Sequence, residues 1–213
     1  MLRLVIGNKN YSSWSLRPWL LLRHFEVPFE EVRLALDTPE FQRRIPEFSP
    51  TGRVPVLHDG QRVVWDSLAI CEYANETFLE GRGWPTDPGL RALARCASAE
   101  MHSGFAALRA QLPMNCRRQP SAYRWKADAE ADIRRVLVLW RELRRRAEGP
   151  FLCGAFGIVD AMFAPVAIRF RGYGVPLDDN ARHYGEALFA LPAMREWQAA
   201  AEAETERLAH DEL

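Results

Sequence analysis

Apolar residues along the first third of the chain alternate between two spacings. Leu2 to Ile6 alternates around Arg3 and predicts a strand closed by Gly7. Between Ser15 and Phe25, Leu16, Trp19, Leu20, Leu22 and Phe25 recur at helical spacing, with Pro18 tolerable as a first-turn residue. Phe29 to Leu36 predicts a second strand and Pro39 to Ile45 a short helix. Val54 to Leu57 and Val63 to Trp65 predict a hairpin around Asp59-Gly60. Ser67 to Phe78 reads as a helix with Ala69, Ile70, Tyr73 and Ala74 facing inward. Short strands alternating with helices predict β-α-β units around a small sheet.

The stretch LEGRGWPTDPG, residues 79–89, concentrates glycine and proline between two periodic segments and reads as a linker. No strand pattern follows it. Residues 90–112, 122–147, 159–170 and 192–208 carry helical spacing, so the expected layout is an α/β domain over 1–80, a linker over 81–89 and an all-α domain over 90–213.

Composition narrows the classes of function. Of 213 residues, 48% are hydrophobic and 26% charged, the profile of a folded globular chain. The 28 basic residues balance 28 acidic ones, which argues against a nucleic-acid binder or a polybasic membrane protein and leaves small neutral or anionic ligands open. Cys71, Cys96, Cys116 and Cys153 are widely spaced, without a C-x-x-C pair or a histidine at zinc-ligand spacing, so neither a disulfide framework nor a metal site is expected. No apolar run reaches the roughly 20 residues of a membrane span, and Asn8, Lys9 and Asn10 interrupt any signal-peptide core. A cytoplasmic location is the expectation. The closing residues His210-Asp211-Glu212-Leu213 spell an ER-retention signal, which has no meaning for a chain that never enters the secretory lumen.

Three places carry candidate chemistry. Tyr11-Ser12-Ser13-Trp14-Ser15-Leu16-Arg17 lies between strand one and helix one, where hydroxyls and free N–H groups meet the positive end of a helix. An anion fits there, and a thiolate in such a position has its pKa drawn from about 8.5 toward neutrality. The same serines also fit a plain helix cap. Ser49-Pro50-Thr51-Gly52-Arg53-Val54-Pro55-Val56 places a proline in a would-be strand; a cis bond before Pro55 would turn the Val54 backbone outward to pair with an extended peptide, whereas a trans bond would leave an ordinary edge strand. Asp66-Ser67 opens a helix, offering a hydroxyl and N–H to a carboxylate and an acidic group to an ammonium, or simply a cap.

The order of elements, the serine run SSWSLR, SPTGRVPVL around Pro55, DSLAICEYANE from Asp66 and FGIVDAMFAPV in the helical half together resemble the cytosolic glutathione transferase superfamily over nearly the whole chain. SSWSLR is similar to the serine motif of its zeta and tau classes. The resemblance implies a thioredoxin-like N-terminal domain with an all-α C-terminal domain, glutathione as co-substrate and a homodimer. Trp65, Phe78 and Trp84, near the end of the first domain, are candidate interface aromatics. It implies Ser12 as the donor to the glutathione thiolate, with Ser13 as a second catalytic candidate and Tyr11 ranked below both. Arg17, Arg53, Val54, Pro55, Asp66 and Ser67 would bind glutathione. Trp14, Met101, His102, Phe105 and Arg109 would line the second-substrate pocket, suiting an apolar or aromatic electrophile, and residues 114–118 would either cover it or form a bare loop. For His102 a role between helices is preferred to one in the cleft. Two departures stand out: Gly157 occupies a helix start where the family usually has Ser or Thr, and Trp14 replaces the zeta-class cysteine, which counts against maleylacetoacetate isomerisation. A non-catalytic interaction module and a glutathione-dependent isomerase are the alternatives to a transferase.

Overall fold

A computed structural model of the protein describes residues 1–120 and 122–213. The first part of the chain runs β1 (Leu2–Ile6), α1 (Ser13–His24), β2 (Glu30–Arg33), α2 (Pro39–Arg44), a 3-10 turn at Ile45–Glu47, β3 (Val56–Asp59), β4 (Arg62–Val64) and α3 (Ser67–Thr77). The sheet order is β2-β1-β3-β4, with β1 parallel to β2 and antiparallel to β3, and β3 antiparallel to β4. This is a thioredoxin-like mixed sheet.

Strand alternation sorts β1 onto two cores. Leu2, Leu4 and Ile6 join Leu57 and the apolar side of α1 and α3. Val5 points the other way, into a smaller cluster of Leu34, Phe41, Ile45 and Val56 under α2. Helices follow: α4 (Pro88–Ser103), α5 (Ala106–Gln111), α6 (Ala127–Arg144), α7 (Ile158–Gly172), α8 (Asp179–Ala190) and α9 (Pro192–Ala203), with a 3-10 turn at Ala209–Asp211. Helix α7 is buried on nearly every face and is the axis of this half. Helix α1 packs on α3, α7 and α9, with the Trp19 and Trp197 rings 5.0 Å apart, so one apolar core runs without a break from the sheet into the helices.

Several boundaries differ from those the pattern predicts. Helix α1 starts at Ser13, so Pro18 stands in its second turn and leaves the Trp14 carbonyl without its i+4 donor. The expected strand over Phe29 to Leu36 is ordered as β only at Glu30–Arg33. The helix expected over residues 90–112 breaks at Gly104 and Phe105: a Cβ on Gly104 would lie 2.7 Å from the Glu100 carbonyl oxygen, and Phe105 takes the left-handed conformation at φ 57°. Helix α8 falls in a stretch given no element in advance. The helix expected over 192–208 stops at Ala203, after which the chain folds back across the β1–α1 loop.

Candidate functional site

Gly7 ends β1 against Leu36, close enough that a Cβ would sit 2.9 Å from the leucine side chain. Beyond it the loop is fixed from several directions. Asn8 accepts the Leu36 N–H at 2.7 Å through its side chain and the Ser12 N–H at 2.8 Å through its backbone carbonyl. Glu204 accepts the N–H groups of Lys9 and Asn10 at 2.8 and 3.0 Å. Ser12 is the N-cap residue of α1, yet its side chain caps no backbone N–H; its hydroxyl instead donates to Ser15 Oγ at 2.7 Å. The two readings of this serine run therefore separate, because Ser12 spends its hydroxyl on another hydroxyl.

Two adjoining cavities open on this loop. One, of about 370 Å³, is lined by Thr51, Pro55, Trp65, Asp66, Ser67 and His102. The other, of about 290 Å³, is lined by Tyr11, Ser12, Ser13, Leu36, Phe41 and Gly52. Trp14, Arg53 and Val54 line both and form the saddle between them. The Val54–Pro55 bond is cis, and Val54 lies outside the ladder, whose β1–β3 pairing begins at Val56. Asp66 Oδ1 caps α3 by accepting the N–H groups of Leu68 and Ala69, while Oδ2 lies 2.9 Å from His102 Nε2. One carboxylate thus both caps the helix and lines the cavity.

Arg17 lies behind the Trp14 side of this saddle. It is fully buried, its guanidinium stands 4.1 Å over the Trp14 ring, and Nη1 donates to Ser67 Oγ at 3.3 Å. Nε and Nη2 have no partner among the described residues. Burial, and next the like charges of Arg169 and Arg109, draw its pKa down to about 9. Arg109 stands 5.2 Å over the same indole. Arg169, buried in α7, donates to the Leu112 carbonyl at 2.7 Å and leaves Nη1 unpaired. Sequence reasoning passed over Arg169, although a single charge inside the apolar run FAPVAIRF was a signal.

Other expected residues fall elsewhere. Met101 is fully buried in the core and Phe105 nearly so; neither lines the cavities. Their spacing assumed one continuous helix, and α4 ends between them. His102 does face the cavity, and it bridges to Asp66 rather than packing between helices alone. Tyr11 lines the second cavity, but its hydroxyl bonds to Glu212 and accepts from Arg117 Nη2 at 2.6 Å. Burial and the Glu212 contact push its pKa up, the wrong direction for an activated phenol. Residues 114–118 line neither of these two cavities and are not a bare loop: Asn115 and Cys116 bond to Asn10 and brace the β1–α1 loop. Of the candidate interface aromatics, Trp84 is core, donating its indole N–H to Glu72 at 2.9 Å, and Phe78 packs on Tyr73; Trp65 is exposed. Gly157 starts α7, and Asp160 accepts its N–H at 2.9 Å and that of Leu152 at 3.0 Å.

Residues 11–77, which carry the serines, the Val54–Pro55 turn and Asp66-Ser67, match the family described as glutathione S-transferase, N-terminal domain. Maleylacetoacetate isomerase of Rattus norvegicus is 26% identical over 187 residues, 86% of this chain and 85% of that protein. Residues 11–77 thus carry the glutathione S-transferase N-terminal domain, and the chain has the fold of that superfamily. A crystal structure of a glutathione transferase homolog from Burkholderia, with bound glutathione, superposes with a TM-score of 0.73 at 24% identity, covering 95% of this chain and 99% of that one. Dichloromethane dehalogenase of Methylorubrum extorquens is 44% identical over 61 residues, a stretch that spans only 21% of that protein. Among the described residues no helix is long and apolar enough to cross a membrane.

Proposed function

We propose that the double cavity binds glutathione and that Ser12 donates a hydrogen bond to its sulfur, holding it as a thiolate for attack on an electrophilic carbon. The observation that carries this reading is Arg17. A fully buried guanidinium is costly to hold, and this one bonds Ser67 and stacks on Trp14, which both line the cavity, so its charge favours an anion there. Glutathione brings a thiolate and two carboxylates. On this reading Asp66 and Ser67 take the γ-glutamyl end, the Val54 backbone pairs with the cysteinyl unit, and Arg53 borders both. Arg17 acts through Ser67 and Trp14.

The second cavity, with Trp14, Leu36 and Phe41 on its wall, receives an apolar or aromatic electrophile. The thiolate forms the carbon–sulfur bond while the leaving group departs with its electron pair. Stabilisation of the sulfur anion by a fixed hydroxyl and nearby guanidinium groups is the main catalytic contribution. A homodimer, implied by the family resemblance, belongs to the same proposal and is checked by sedimentation. Calorimetric titration with glutathione tests the reading: heat is expected, together with an ultraviolet thiolate band in the complex. Ser12→Ala should shift that band to higher pH and lower turnover by about tenfold to a hundredfold while glutathione still binds. No heat would favour a non-catalytic module.

A glutathione-dependent isomerase is the second reading. The name of the rat relative and the Arg17, Arg109 and Arg169 group, which suits a carboxylate-bearing substrate, favour it; Trp14 in place of the motif's cysteine opposes it. Product formed without consumption of thiol would decide for the isomerase.

A further inference from the structure

The serine run has a third hydroxyl, and the proposed reaction gives it no task. Ser15 is fully buried at the third position of α1. Its oxygen accepts the Gly7 N–H at 3.1 Å and lies 2.7 Å from Ser12 Oγ. Gly7 is itself fixed as the last residue before the loop, pressed against Leu36. A line of hydrogen bonds thus runs from the end of β1 through Ser15 to Ser12, the residue proposed to meet the sulfur.

Proton accounting gives this line a direction. A hydroxyl has one proton to donate and lone pairs to accept. With the Gly7 N–H donating to Ser15, the Ser15 proton needs an acceptor, and a buried hydroxyl without one is penalised. Ser12 Oγ, 2.7 Å away and donating to Ser15 in this structure, can accept that proton once it turns its own elsewhere. While the cavity is empty, Ser12 can point its own proton back at Ser15. When a thiolate arrives, Ser12 must turn its proton outward, and Ser15 can follow by donating to Ser12. Each link then donates toward the sulfur, from Gly7 to Ser15 to Ser12, and such chains polarise one another so that the terminal O–H becomes a stronger donor.

We propose that Ser15 is a positioning residue for thiolate stabilisation: it holds Ser12 off the cap and, by donating to it, frees and strengthens the Ser12 hydroxyl for the sulfur. The proposal rests on the glutathione reading above. The side chain at the N-cap of α1 accordingly caps nothing and turns toward Ser15, to which it donates in this structure.

The test is the pH dependence of the thiolate band of bound glutathione in Ser15→Ala, Ser15→Thr, Ser12→Ala and Ser12→Ala/Ser15→Ala. Ser15→Ala should move the titration to higher pH and lower kcat at neutral pH by about threefold to tenfold, with KM for glutathione unchanged. Ser15→Thr, which keeps the hydroxyl, should restore the wild-type titration. In the Ser12→Ala background, adding Ser15→Ala should change the titration no further. Where Ser15→Ala does not fold, Ser15→Cys replaces it, since its weak donor fills the same space; a shift in the same direction is expected. A Ser15→Ala or Ser15→Cys titration identical to wild type, or a shift that persists in the Ser12→Ala background, overturns the role of Ser15 and leaves glutathione binding intact. A wild-type protein that binds glutathione with no thiolate band removes both proposals together.

Discussion

Arg17 is a residue held at the expense of stability. Its guanidinium is out of water, two of its nitrogens are unpaired, and its electrostatic neighbours include two further cations. Replacing such a buried charge by an apolar group of similar length is often neutral or stabilising by about 1–4 kcal/mol. Arg17→Met is therefore expected to melt at or above the wild-type temperature while glutathione affinity falls, by calorimetry, by about tenfold or more. A variant that melts much lower, or binds as before, would show that the charge serves the fold. The candidate serines, Val54, Asp66 and Ser67 were legible because turn and cap residues leave a mark at fixed places in a sequence. Arg169 and the burial of Met101 were not, because side-chain direction depends on where a helix ends, and α4 ends two residues beyond Met101.

Among the elements, α7 carries a testable electrostatic feature at its start. Gly157 offers no side-chain oxygen, and Asp160 reaches back to accept the Gly157 N–H, as well as tying Leu152 to the helix. Burial outweighs those two donors and pushes the carboxyl up to about 7. The unfolded chain releases this proton near pH 3.9, so the native state holds it more tightly. The resulting stabilisation is complete below about pH 4 and is lost as pH rises through about 7. Thermal melts between those limits should show a falling contribution that Asp160→Asn removes, at a lower melting temperature throughout because one backbone N–H loses its acceptor. An unchanged slope in the variant would exclude Asp160 as its source. Helix α8 shows how an element escapes notice: its buried positions Ala181, Tyr184, Gly185 and Leu188 have helical spacing, but two are too small to register as apolar.

For the whole molecule, the change from mixed sheet to helices was written in the switch of hydrophobic period, and the position of the sheet's first helix between them was not. Strand order depends on pairings of β1 with strands tens of residues away, and the packing of α1 on α7 on contacts more than a hundred apart, neither of which a local pattern contains. Because one apolar cluster joins Leu4 and Trp19 to Phe163 and Trp197, the sheet and the helices are expected to unfold together. Scanning calorimetry should give a single transition with equal calorimetric and van't Hoff enthalpies. Two resolved transitions would mean that the shared core couples the halves only weakly.

The loop that carries Ser12 is tied at Lys9 and Asn10 by a carboxylate nearly two hundred positions downstream. On a ribosome adding about 5–20 residues per second, Glu204 follows Lys9 by roughly 10–40 seconds. For that interval the nascent chain holds its β1–α1 loop without this clasp, and until α7 follows, the side of α1 that will meet it has nothing to cover it. The residues proposed to handle glutathione emerge long before the carboxylate that locks their loop. A chain stalled late in synthesis would therefore expose both the apolar flank of α1 and an unfinished loop, the combination that draws a holding chaperone.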